Sequence, residues 1–298
     1  MSAAKLLRWY DKNGRDLPWR KTRDPYRILL SEVMLQQTQV ARVIPFYERW
    51  LKRFPDWKKL AKAPPATVLT YWSGLGYNRR ALALQKIAQH IVKNGEPKKA
   101  SEWLELKGIG PYTASAIALF SAHEKTFPID TVIRRVAGRL FLGKPFPKPS
   151  DDPVILRHGL RYSLRVTRPW DIPQAFFDLG TAICKKIPDC ATCPLRADCP
   201  SAQKFLSGRT RIPKRMIEKG RETVHANKKS PDRIYRGRIL RTLLETKKSF
   251  SLKELGPSID ATFVIEQDGP WLQKMLHRLE HDGMITIRNQ RAFLRSQH

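Results

Sequence analysis

Across the first two hundred residues, apolar positions recur every three or four places, and no stretch alternates apolar with polar residues. That period belongs to helices. It predicts helices over about 3–13, 26–37, 39–53, 56–62, 65–73, 77–94, 151–166 and 171–184. Pro45, Pro55, Pro64 and Pro65 fall near helix starts or in connections, where a missing N–H costs little. Residues 104–117 read as a helix end, a tight Gly108-Ile109-Gly110 turn and a new helix from Pro111. Beyond residue 232 the pattern changes. Helices are expected at Ile234–Leu244, Ser251–Leu255 and Trp271–His281. A turn at Asp282-Gly283 and two short strands, Met284–Ile287 and Ala292–Leu294, follow. Three helices and then a hairpin is a winged-helix order, whose third helix serves either a DNA groove or packing. The fold class is therefore mainly α, with a small α+β module at the C-terminal end.

Within this pattern Glu32 is out of place. Ile28, Leu29 and Leu35 stand four and three residues before it and three after, so the carboxylate shares the apolar stripe. Either it turns to solvent or to an arginine at the stripe edge, or it is retained for chemistry. Desolvation would keep a proton on it near neutral pH, as a general acid requires. Asp130 directly precedes an apolar-periodic helix, where it reads as an N-cap. One carboxylate oxygen can cap while the other faces a cleft, where it could stabilise a cationic transition state.

Charge narrows the class. The chain has 298 residues and a net charge of +29, with the cations spread along its length. Such an excess points to a polyanion, most simply nucleic acid. Eight Trp, eight Tyr and twelve Phe among the basic residues favour a folded protein that stacks bases. In that setting the Gly108–Gly110 turn suits a phosphate, because glycine lets the backbone come close and the next helix offers free N–H groups; an ordinary helical hairpin would look alike. No apolar run is long enough for a membrane span, and the N-terminus lacks a secretory signal, so a cytoplasmic location is expected. Residues 201–232 hold nine Lys or Arg against three acids and read as a basic linker.

All four cysteines lie within sixteen residues, Cys184, Cys190, Cys193 and Cys199, spaced C-x5-C-x2-C-x5-C. So tight a group reads as one metal site. Zinc sites usually carry two C-x2-C pairs, and this chain has one. A [4Fe–4S] cluster tolerates uneven spacing and is the favoured reading over zinc or disulfides.

The motifs Leu17-Pro18-Trp19-Arg20, Ser31 to Val40, Gly74-Leu75-Gly76-Tyr77, the Gly108–Gly110 turn, Asp130, and Gln174 through Cys199 together resemble the helix-hairpin-helix DNA glycosylases, and among them the MutY-type adenine DNA glycosylases. The resemblance covers about residues 5–200. It implies a six-helix barrel domain over 22–128 and a helical iron–sulfur domain from 1–21 with 129–200. The basic linker 201–232 and a winged-helix-like module over 233–298 lie outside it. It implies Glu32 as the acid that protonates adenine, Asp130 as the carboxylate that stabilises the sugar cation, and Tyr112 as a site contact standing beside the position of the lyase lysine in bifunctional relatives. Trp19, Arg20 and Gln174 would surround the flipped base. Gln37, Tyr77 and Leu75 would enter the stack and hold the opposite base. Lys107, Gly108 and Gly110 would bind phosphate. The implied cofactor is a [4Fe–4S] cluster, the implied partner double-stranded DNA containing a mispair, and the expected state a monomer. A mismatch thymine or uracil glycosylase and a non-catalytic DNA-binding relative are the alternatives. After Asp130 the family has Gly-Asn where this chain has Thr131-Val132, Lys107 replaces a proline, and the C-terminal region does not resemble the family's MutT-like domain.

Overall fold

The computed structural model describes residues 2–208, 210–213, 224–225 and 228–295. Most of the stretch read as a basic linker lies outside these residues. The helices of the first two hundred residues fall where the apolar period puts them: α1 (Ser2–Asn13), α2 (Pro25–Leu35), α3 (Val40–Arg53), α4 (Trp57–Ala61), α5 (Pro65–Trp72), α6 (Arg79–Asn94), α7 (Ala100–Leu104), α8 (Pro111–Ala122), α9 (Thr131–Leu142), α10 (Asp152–Ser163) and α11 (Asp171–Ala182). One more, α12 (Pro200–Leu206), occupies the start of the supposed linker. Proline opens α2, α5, α8 and α12, where its fixed φ suits the first turn and its missing N–H would be unpaired anyway. Asp56 caps α4 by accepting from the Lys59 amide at 2.8 Å.

The chain divides into two compact units, Met1–Leu29 with Pro97–Lys219, and Leu30–Glu96 with Gly220–His298. In the first, Leu6, Phe127, Ile133, Ala137, Ile155 and Phe176 share one buried core. Two glycines exist there for close approach. A Cβ at Gly180 would stand 2.4 Å from Val132 Cγ1, and one at Gly159 would stand 2.6 Å from the Phe127 ring.

The second unit contains the C-terminal module, which has helices Asp232–Thr246, Leu252–Ile259 and Ile265–His281 and a three-stranded antiparallel sheet. The hairpin predicted from sequence is Ile285–Arg288 paired with Arg291–Leu294. Its two-residue turn places Asn289 and Gln290 at φ 48° and 59°, the signature of a type I′ turn. A third strand, Phe250–Ser251, pairs with Arg291–Leu294 and was too short to show a period. The module is no loose appendage. Leu69 of α5 and Leu82 of α6 belong to the same buried cluster as Tyr235, Ile239, Trp271 and Leu276. Lys228, within the stretch read as linker, is buried rather than offered to a partner: its ammonium pairs with Asp260 at 2.8 Å and Asp268 at 2.6 Å. Burial alone would lower its pKa, but the two carboxylates outweigh that and raise it.

Candidate active site

In the first unit, the Leu17-Pro18-Trp19-Arg20 turn and the helix α11 line one cavity of about 330 Å³. Trp19, Arg20 and Gln174, the three residues expected around a base, all face it, as do Tyr10, Phe120 and Trp170. His123, in the left-handed conformation that ends α8, stacks on Trp170 with ring centroids 3.9 Å apart and planes within 4°. The volume lies at the lower end of small-molecule sites, and the lining is aromatic with a few polar groups, as such sites are. Asp171 adds an unforeseen carboxyl, pushed above its ordinary pKa by burial and only partly held back by Arg168.

Arg20 is held rigidly. Its two terminal nitrogens meet Asp178 Oδ2 at 2.8 Å and Oδ1 at 2.9 Å, and one also donates to the Arg15 carbonyl. Arg15 adds its own amide and guanidinium to the same carboxylate. The Asp178 side chain is 2% exposed. Burial would push its pKa up, but Arg20, with the Arg15 amide and charge, outweighs burial and holds it below the usual carboxylate range. Sequence reasoning missed Asp178. The available signal was its place four residues after Gln174, on the same face of α11.

Asp130 caps α9. The Val132 and Ile133 amides both donate to Oδ1, at 2.9 and 2.7 Å, which leaves Oδ2 for other work. Burial raises its pKa, and those two amides with Arg135 and Arg134 pull part of the way back. Tyr112, in the first turn of α8, sets its ring edge-on to Phe177 at 6.3 Å. Before it, Leu106 and Ile109 are buried while Lys107, Gly108 and Gly110 are exposed. Gly108 has φ 101°, which only glycine adopts cheaply. This is the exposed turn expected for a phosphate.

In the second unit, Glu32 lies on α2, half-buried between fully buried Leu29, Leu30 and Met34 in the sequence. Gln37 and Tyr77 stand on two neighbouring turns, both with positive φ, at 56° and 50°. Such a conformation costs a non-glycine residue roughly 1–3 kcal/mol unless its surroundings impose it. Arg80 imposes it here. Its guanidinium donates to the carbonyls of Val33 and Gln36 at 2.7 and 2.6 Å and to that of Gly76 at 3.1 Å, tying the turns together. Tyr77 is 49% exposed, whereas Leu75 is 6% exposed and serves as the buried anchor of its turn.

The cysteines follow α11. Cys184 leaves its end, Cys190 and Cys193 lie in the loop, and Cys199 leads into α12. No disulfide joins them. Burial, and then the charge of their neighbours' sulfurs, pushes the Cys190 and Cys193 thiols up to about 11. Buried Arg139, from the last turn of α9, braces the loop by donating to the carbonyls of Lys185 and Lys186 and to Cys184 Sγ at 3.4 Å. Among the described residues no three His, Cys, Asp or Glu side chains are grouped so as to hold a metal ion. A single tetrahedral zinc would draw its sulfurs to within about 4 Å of one another. The donor set is instead four mutually charged thiols with no nitrogen or oxygen ligand, the composition that polynuclear iron–sulfur groups take. Among the described residues no helix is long and apolar enough to cross a membrane.

Residues 30–155 match the family described as HhH-GPD superfamily base excision DNA repair protein. The adenine DNA glycosylase of Rattus norvegicus is 38% identical over 217 residues, which is 68% of this chain and 42% of that protein. The adenine DNA glycosylase of Mycolicibacterium smegmatis is 37% identical over 203 residues, 65% of this chain and 68% of that protein. The chain thus spans less than half the length of its rodent relatives. Among solved structures, a thermostable thymine-DNA glycosylase superposes with a TM-score of 0.63 at 24% identity, over 68% of this chain and 95% of that one. Endonuclease III in a non-covalent DNA complex superposes with a TM-score of 0.55 at 20% identity, over 69% of this chain and 95% of that one. At those identities the likeness shows the fold alone. Sequence kinship and fold agree: the chain belongs to the HhH-GPD superfamily of base excision DNA repair proteins, on its MutY-type adenine DNA glycosylase branch.

Proposed function

We propose that this protein is a monofunctional DNA glycosylase that excises adenine mispaired with 8-oxoguanine or guanine, acting as a monomer in the cytoplasm. The observation that carries the reading is the convergence of Trp19, Arg20 and Gln174, from opposite ends of the first unit's sequence, on one base-sized cavity. The chemistry requires a base drawn out of the duplex, since no side chain reaches the N-glycosidic bond inside the stack. Arg20 and Gln174 supply hydrogen bonds to the edge of the flipped base, and Trp19 and Trp170 supply apolar walls. Adenine leaves poorly as an anion. Glu32, kept protonated by apolar neighbours, delivers a proton to the ring so that the base departs neutral. The sugar is left with oxocarbenium character, and Asp130 Oδ2 offers it a negative charge. Tyr112 stands where a lyase would need an amine, so base release is the end of the reaction. Gln37 and Tyr77, on turns locked by Arg80, enter the stack on the opposite base.

A single-turnover assay on duplexes carrying A opposite 8-oxoguanine, A opposite G, T opposite G and U opposite G tests this. Adenine release from the first two, with the pyrimidines retained, is the expected result. Release of thymine or uracil alone would make the chain a mismatch pyrimidine glycosylase. Binding without any release would make it a non-catalytic relative.

Cys184, Cys190, Cys193 and Cys199 would hold a [4Fe–4S] cluster, and the four thiols would give up their protons to bind it. Its contribution is structural: it would tie the loop after α11 to α12 and to Arg139. Anaerobically purified protein is expected to be brown and to contain about four iron atoms per chain. The Cys193→Ser variant should lose most of that iron and melt earlier. An active, colourless, zinc-loaded preparation would refute the assignment.

A further inference from the structure

The largest cavity among the described residues lies in the second unit and encloses about 1040 Å³. One wall is the pair of turns carrying Gln37 and Tyr77. The other is the C-terminal module, through helix Asp232–Thr246 and the end of helix Ile265–His281. Eight arginines line it, and Asp282 is its only acid. Asp282 already pairs with Arg79 at 3.2 Å, and Arg80 is committed to the backbone of the turns. Arg236 and Arg241 have no carboxylate partner among the described residues, and Arg241 is exposed. Leu240 and Leu244 line the same wall between and beyond them, so the wall alternates guanidinium with apolar surface.

Gly237 sharpens the picture. It sits in the interior of helix Asp232–Thr246, lines the cavity, and a Cβ built there would meet nothing within 4 Å. Packing therefore does not require glycine, and its backbone freedom costs the helix about 1 kcal/mol relative to alanine. A bare backbone on a cationic wall is useful where another chain must come close.

We propose that this cleft is a second DNA-binding site, in which the module's helix Asp232–Thr246 grips the phosphodiester backbone of a DNA strand where it passes the Gln37 and Tyr77 turns. The module thus acts as a clamp on the strand, with Arg236 and Arg241 on phosphates and Gly237 admitting the backbone between them. Identification of the strand as the one bearing the opposite base rests on the glycosylase reading. Binding of the phosphodiester backbone does not.

The test uses the full-length protein and a fully matched duplex, so that no base release is involved. Affinity is measured over a range of salt concentrations for wild type, Arg236→Ala/Arg241→Ala and Gly237→Leu, with thermal melting alongside. Each phosphate contact contributes about one unit to the slope of log affinity against log salt. The double variant should reduce that slope by about two and weaken binding on the order of tenfold. Gly237→Leu should weaken binding while melting no earlier than wild type, because leucine is the better helix former. Wild-type affinity and slope in both folded variants would overturn the proposal. If the wild-type protein released no base from any duplex, the glycosylase reading would fall, and these binding results would still decide the cleft.

Discussion

Replacing Asp130 with Asn should reduce single-turnover base release on the order of a thousandfold while leaving the fold intact or more stable. The first half follows from charge. An amide offers the oxocarbenium a dipole in place of a full negative charge, and loss of one well-placed electrostatic group at a reacting centre costs about that much. The second half follows from the cap. Asn accepts from the Val132 and Ile133 amides as Asp does, and the two rank alike as N-caps. Burial raises the carboxyl's pKa in the folded state, so the ionised form opposes folding. The sign then runs one way: below the unfolded pKa of about 4 both proteins are neutral here and differ little. As pH rises through the raised folded value, wild type loses stability that the variant keeps. Melting curves from about pH 4 to pH 8 should show the variant's advantage widening. A variant that melts earlier at pH 8, or that releases base at the wild-type rate, would remove Asp130 from this role.

The second large effect belongs to Asp178. Asp178→Ala removes the one anion that holds both Arg15 and Arg20, and it leaves two guanidinium groups close together without it. Breaking a buried pair by deleting one partner typically costs about 3–5 kcal/mol, because the remaining charge is stranded. For a unit of this size that corresponds to a fall in Tm on the order of 10 °C. Asp11→Ala is the control. Its pair with Arg168 has a similar length, 2.6 Å, but both side chains are more than two-fifths exposed, so it should cost at most about 1 kcal/mol. Asp178→Asn keeps one acceptor and should lie between them, with base release lowered because Arg20 is no longer fixed in the cavity. Equal melting of the Asp178 and Asp11 alanine variants would show that the buried carboxylate is not the anchor described.

The helices were legible because their cores are simple. In α2, Ile28, Leu29 and Leu35 announce a stripe with no knowledge of what covers it, and Asp130 announces a helix start by its place alone. What escaped is instructive. Helix Ile265–His281 begins six residues before the predicted Trp271, since Asp268-Gly269-Pro270 reads as a break. Its first turn is held by long-range partners: Asp268 accepts from the Val264 amide at 2.9 Å and from Lys228, forty residues away. Local propensity carries no trace of such a contact. Lys228 was lost for the same reason, as one lysine in a basic run. Asp178 and Arg139 escaped because a charged residue on a helix ordinarily marks the solvated face, and each is buried by partners from distant segments. The cavity's Trp19, Arg20 and Gln174 were named through the family's motifs. Physics by itself placed them only on a stiff turn and on a helix.

The central claim is that a carboxylic acid at position 32 protonates an adenine while it leaves. The most direct measurement is single-turnover adenine release from an A opposite 8-oxoguanine duplex, followed across pH for wild type and Glu32→Gln under saturating enzyme. Glu32→Gln keeps the size of the side chain and removes the transferable proton. The account predicts wild-type release that declines as pH rises and deprotonates the acid, and no measurable release by the variant at any pH despite retained duplex binding. Release by Glu32→Gln at the wild-type rate would contradict it.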